Sequence, residues 1–145
     1  MNTTNNVDYQ NRKELTAEEK EKVMDTFSSF EESQYDELDF KDVENGEDVL
    51  AKKSKSGPLK SYTEKISTLY SMLKDYFSKK YSLSTKTSSI LIGTLLYIIA
   101  PIDIIPDFLP FLGLVDDVAI LEACLASISI ELSKYQEWKE NQNSL

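Results

Sequence analysis

Seventeen residues constrain this chain more than any others: PIDIIPDFLPFLGLVDD, from Pro101 to Asp117. Three prolines, one glycine and four aspartates are set into an otherwise apolar stretch. The apolar residues ask for burial, and proline forbids one continuous helix. A carboxylate taken out of water costs several kcal/mol unless it is paired. Together these demands specify a particular local shape, not a generic linker.

The flanks of this stretch are helical in pattern. Before it, ILIGTLLYIIA (90–100) is apolar nearly all round, as in a helix buried on every side. After it, Leu114, Val118, Leu121, Leu125, Ile128, Leu132 and Tyr135 alternate steps of three and four, which is the seam of a bundle helix. Upstream, Gly57 and Pro58 make a helix start. Leu59, Tyr62, Ile66, Leu69, Leu73 and Phe77 then predict a long amphipathic helix over 58–80. Thr16 and Glu19 form a capping box, so a short acidic helix is expected over 17–30, carrying Val23, Met24, Phe27 and Phe30. Residues 1–15 are expected to be a disordered polar tail, 31–41 a loop, and 42–53 another short helix.

The expected fold class is all-α. It is a small bundle or hairpin of four to five helices, with the Pro/Asp-rich turn between the last two long ones. The expected organisation is an acidic N-terminal region over 1–41, a helical domain over 42–140 and a tail over 141–145.

Composition removes several chemistries. Histidine is absent, which excludes catalytic schemes and metal sites built on imidazole. Four glycines and no GxxxxGK[ST] or GxGxxG leave little room for a phosphate-cradling loop. One cysteine, Cys124, cannot build a disulfide framework and reads as a small buried hydrophobe. MNTTNNVDYQ lacks the apolar core of a secretory signal.

Charge is segregated. Residues 1–51 carry 15 acids and 5 bases, 52–86 carry 2 acids and 9 lysines, and 87–145 carry 8 acids and 2 lysines. A total of −9 disfavours nucleic acid as a partner. The basic block, with Lys60, Lys65, Lys74, Lys79 and Lys80 on the 58–80 helix, is expected to face a membrane, a protein partner or the chain's own acidic front.

The motif P-x-D-x-x-P-D-x-x-P-x-x-G-x-x-D-D, with SSILIGTLLYIIA before it and DDVAIL after it, resembles the YkvA-type bacterial family, whose function is unassigned. DVLAKK at 48–53 also resembles its longer members. The resemblance covers a core of about 40 residues and, more loosely, 42 to 138. It leaves the first 41 residues outside. It implies an all-helical domain, commonly predicted to be membrane-associated, and related sequences occur beside membrane segments. It implies no catalytic residue and no cofactor.

The four aspartates admit three readings. The leading one is structural: Asp107 follows Pro106 in the first turn of a short helix, Asp116 and Asp117 open the last helix, and Asp103 braces the turn. The second is a hard divalent-cation site, though the spacing is not that of an EF-hand. The third, a paired-carboxylate hydrolase, lacks a nucleophile and a cleft.

No lysine or arginine occurs between Lys86 and Lys134. That interval, closed by lysines on both sides, is the pattern of a hairpin entering a membrane with both ends cytoplasmic. The run Ile90–Ile102 is short for a span of about 20 residues, and Glu122 is expensive in lipid. The expected function is therefore a non-enzymatic, membrane-associated helical module acting through lipid or protein. The alternative is a soluble cytoplasmic bundle binding a protein partner or a divalent cation through its aspartate turn. The sequence is silent on oligomeric state.

Overall fold

The computed structural model describes residues 16–28, 37–99 and 117–144. The expectations for the 1–15 tail, for Phe30, for Asp103, Asp107 and Asp116, and for a helix start at Leu114 lie outside those residues. Among the described residues the chain forms seven α-helices and one 3-10 helix, with no strand. The all-α expectation holds; the count of four to five helices is too low.

The capping box forms as read. The Glu19 amide donates to Thr16 Oγ1 at 3.1 Å, and the Thr16 amide donates to Glu19 Oε1 at 3.0 Å. Helix α1 (Ala17–Ser28) follows it and buries Val23, Met24 and Phe27. Helix α2 (Glu37–Asn45) opens where a loop was expected. Its Phe40 is buried and stacks on Phe77, with ring centroids 4.7 Å apart. Phe40 and Val43 are buried while Asp42 and Glu44 are exposed. Helix α3 (Glu47–Lys55) is separated from α2 only by Gly46. A side chain there would meet Ile99, because an ideal Cβ would lie 2.5 Å from Ile99 Cδ1.

The predicted 58–80 helix divides. Gly57–Tyr62 is a 3-10 helix begun by Pro58, and α4 (Thr63–Phe77) continues from it. Ser84 caps α5 (Thr85–Ile99), accepting from the Thr87 amide at 3.1 Å. The last predicted helix also divides, into α6 (Asp117–Ser127) and α7 (Ser129–Ser144). The break at Ile128 is slight. Its amide still donates to the Cys124 carbonyl at 3.0 Å, and its own carbonyl accepts from Leu132 at 2.8 Å. Helix α7 continues past residue 140, through part of the stretch expected to be a tail.

Helix α5 is the hub. Eleven of its fifteen residues are buried, and α1, α2, α3, α4 and α6 all pack on it. Its all-round apolarity is thus matched by protein on several sides. Gly93 permits the closest approach: an ideal Cβ there would lie 2.6 Å from Phe27 Cγ. From α6, Ala119, Ile120, Leu121, Ala123 and Cys124 are buried. Cys124 sits in this core, and burial pushes its thiol up to about 12.

Candidate functional site: the neck of the Pro/Asp segment

The segment that dominates the sequence leaves the described structure after α5 and returns at α6. Lys53, on the last turn of α3, holds both of those edges. Its Nζ donates to the Ile98 carbonyl at 2.5 Å and lies 3.5 Å from Asp117 Oδ2. The two acceptor oxygens are therefore no farther apart than those distances together, about 6 Å. The local reasons are standard for helix ends. The last carbonyls of α5 lack intrahelical donors and attract a cation. Asp117, in the first turn of α6, sits at the positive end of that helix. Lys53 links the two through a half-buried position, its side chain 35% exposed.

Two further contacts brace the neck. Tyr62 donates to Glu122 Oε2 at 2.5 Å, tying the 3-10 helix to α6. Thr63 Oγ1 donates to the Ser54 carbonyl at 2.6 Å, tying the start of α4 to the end of α3. Glu122, costly in lipid, is exposed here.

A second polar cluster lies at the other end of α4. Asp75 is 7% exposed. Its Oδ2 accepts from Tyr135 at 2.7 Å and from Lys139 at 2.9 Å, and Ser71 Oγ is 2.6 Å from the Tyr135 hydroxyl. Tyr81, Tyr135 and Trp138 pack their rings beside it. Burial opposes charge on Asp75, but the Tyr135 hydroxyl and the Lys139 ammonium hold its carboxyl below the ordinary value. Burial and the adjacent carboxylate push Tyr135 up. The hydrogen bond to Asp75 pushes Lys139 up. Each group is held in the protonation state it has at neutrality, which suits cross-linking of α4 to α7 more than proton transfer.

Of the four aspartates singled out in the sequence, the described residues contain Asp117 alone, and it is engaged with Lys53. The five lysines offered as a membrane or partner surface are spread along the 3-10 helix, α4 and the residues after it. Lys65 and Lys74 are nine residues apart on α4, two and a half turns, so they point to opposite sides. Lys60 and Lys65 lie toward the neck, and Lys74, Lys79 and Lys80 at the far end. Sequence reasoning missed Lys53 and the Asp75–Tyr135–Lys139 cluster. The available signals were faint: a lysine triplet ending α3, and the four-residue spacing of Tyr135 and Lys139, which places them on one helix face. Among the described residues there is no group of three or more metal-ligating side chains, and no helix is long and apolar enough to cross a membrane.

The family described as "Protein of unknown function (DUF1232)" matches residues 88–123, which run from α5 through the Pro/Asp segment into α6. The chain is also 37% identical over 95 residues to a Bacillus subtilis (strain 168) protein named "Uncharacterized membrane protein YkvA"; the match covers 65% of this chain and 86% of that one. The chain belongs to the YkvA family. The matched core of this YkvA-family member is the stretch whose two edges Lys53 joins. No solved structure matches it.

Proposed function

We propose that this YkvA-family protein is a non-enzymatic, membrane-associated helical module, and that the segment between α5 and α6 is its membrane-contacting element. The observation that carries the reading is the neck. The sequence between the two edges that Lys53 joins is rich in large apolar residues: Ile102, Ile104, Ile105, Phe108, Leu109, Phe111 and Leu112. Helix α5 is already buried by protein, so it is not the element offered to lipid. A membrane protein among its relatives supports the same direction. Both ends of the chain would then lie on one side, the cytoplasmic one. The groups whose protonation the structure biases, Asp75, Tyr135, Lys139 and Cys124, are all held away from titration near neutrality, which supports a role in binding over acid–base catalysis.

Liposome flotation of the full chain tests this. The wild type should float with vesicles. The double change Phe108→Asp, Phe111→Asp should stay at the bottom of the gradient while keeping its helical circular dichroism. A wild type that stays at the bottom refutes membrane association. It would favour the alternative to which the burial of α5 by protein also points: a soluble bundle engaging a protein partner or a divalent cation.

A further inference from the structure

We infer that the groove between α3 and α4 binds a free medium-chain fatty acid, its carboxylate at Lys55 and its alkyl chain along Leu50, Ala51 and Ile66. The site uses no residue of the segment between α5 and α6, and it stands whether or not that segment meets a membrane. The two helices run antiparallel. At one end Thr63 Oγ1 donates to the Ser54 carbonyl at 2.6 Å, beside Lys55. At the other end the Tyr70 hydroxyl is hydrogen-bonded to Glu47. Between those two contacts the facing stripes of the helices leave a groove of about 230 Å³.

The lining is apolar along its length and charged at its ends. Leu50 and Ile66 are buried, and Ala51 forms an open wall beside them. Lys55 is exposed at one end, and neither ion pair among the described residues, Lys53–Asp117 or Lys139–Asp75, involves it. An ammonium at the end of an apolar trough suits a carboxylate carried on an apolar chain, through a charge-assisted hydrogen bond. Glu47 at the opposite end repels a carboxylate. The ligand therefore lies in one direction, its acid at Lys55 and its methyl end toward Tyr70.

Size narrows the ligand further. The groove is smaller than the roughly 300–1,000 Å³ that drug-sized ligands occupy, so a two-chain phospholipid does not fit. From Glu47 to Lys55 the helix is 9 residues long, about 12 Å. An extended alkyl chain, with zigzag bonds of about 1.5 Å, covers that length with about eight to ten carbons. The groove is open on one side, so each methylene loses about half to all of its contact with water. That strengthens binding roughly two- to fourfold per methylene.

Isothermal titration calorimetry of the full chain with hexanoate, octanoate, decanoate, dodecanoate and octan-1-ol tests this. Affinity should rise roughly two- to fourfold per methylene from hexanoate and level off near decanoate. Octanoate should bind more tightly than octan-1-ol. Lys55→Gln should erase that advantage and keep the dependence on chain length. Lys52→Gln, exposed on the same helix but outside the groove, should bind as the wild type does. Ala51→Phe, which fills the groove from an exposed position, should abolish binding and keep the wild-type melting curve. No octanoate binding overturns the inference, as does equal affinity for octanoate and octan-1-ol. Equal losses in Lys52→Gln and Lys55→Gln, binding that survives Ala51→Phe, or an affinity that keeps climbing through dodecanoate also overturn it.

Discussion

Replacing Gly93 with alanine sets two calculable effects against each other. In a helix interior the change ordinarily stabilises by about 1 kcal/mol, because glycine is the poorer helix former. In α5 the added methyl meets a ring. Its ideal position is 2.6 Å from Phe27 Cγ, 2.8 Å from Cδ1 and 3.1 Å from Cβ. Carbon atoms rest at about 3.5–4.0 Å, so the ring must retreat by roughly 1 Å. Phe27 is 0% exposed, and its Cβ is also too close. Rotation of the ring alone does not relieve the clash; α1 itself must shift. Overpacking of this kind costs about 1–3 kcal/mol, which matches or outweighs the propensity gain. Gly93→Ala should therefore be neutral to about 2 kcal/mol destabilising.

The decisive form is a double-mutant cycle read by urea unfolding followed by circular dichroism. With Phe27→Ala as background the ring is gone and the 3.1 Å approach to the retained Cβ remains, so Gly93→Ala should then stabilise by up to about 1 kcal/mol. The difference between the two backgrounds, about 1–3 kcal/mol, measures how firmly Phe27 of α1 is seated on α5. A Gly93→Ala protein stabilised by about 1 kcal/mol in both backgrounds would show that α1 does not rest on that face, and the argument from close approach would fail.

Two more expectations follow from the polar clusters. Tyr135→Phe should destabilise by about 1.5–3 kcal/mol, since it removes a hydrogen bond to a buried carboxylate, and thermal melts will show it. The contribution of Asp75 should be full above its ordinary value of 3.8 and fade as pH falls through its lower folded value. The wild type and Asp75→Asn should therefore converge in melting temperature on the acid side. Lys139 runs the other way: its folded value is raised, so its contribution is present below 10.5 and is lost as pH rises through the folded value. At the neck, Lys53→Met should cost about 1–2 kcal/mol, because the Ile98 carbonyl loses a charged donor; hydrogen exchange should rise in the last turn of α5. Unchanged exchange there would mean that Lys53 does not hold the neck.

Local chemistry was legible in the sequence, and long-range chemistry was not. Thr16 with Glu19, and Gly57 with Pro58, each announced a helix start through neighbouring residues, and each start was found. The buried seam positions Leu121, Ile128 and Tyr135 were legible from spacing. The break at Ile128 was not, because backbone hydrogen bonding runs through it and leaves the period undisturbed. The start of helix α2 was hidden because its apolar residues, Leu38, Phe40 and Val43, are scattered among acids without a helical period. The neck was hidden for a different reason. Lys53 meets partners 45 and 64 residues away, and no local pattern encodes such a pairing. Asp75 likewise meets Tyr135 and Lys139 at separations of 60 and 64.

The neck also limits how the segment could meet a membrane. Seventeen residues, 100–116, separate the end of α5 from the start of α6. Lys53 keeps the two edges within about 6 Å of each other, so the segment begins and ends at nearly the same place. Half of it, eight or nine residues, reaches at most about 30 Å when fully extended, and about 13 Å when helical. A bilayer is about 30 Å thick in hydrocarbon and about 40–45 Å with its headgroups. Three prolines and a glycine make two fully extended arms a poor use of this sequence. Under the proposed membrane contact, a segment of that length would enter and leave by the same leaflet. Its aspartates would then stay near the headgroups, where carboxylates cost little, instead of at the midplane, where insertion scales assign about 2.5–3.5 kcal/mol to aspartate. For the proposed membrane contact, the pinned base, the length of the segment and its three carboxylates thus favour one-sided, monotopic contact over a spanning hairpin.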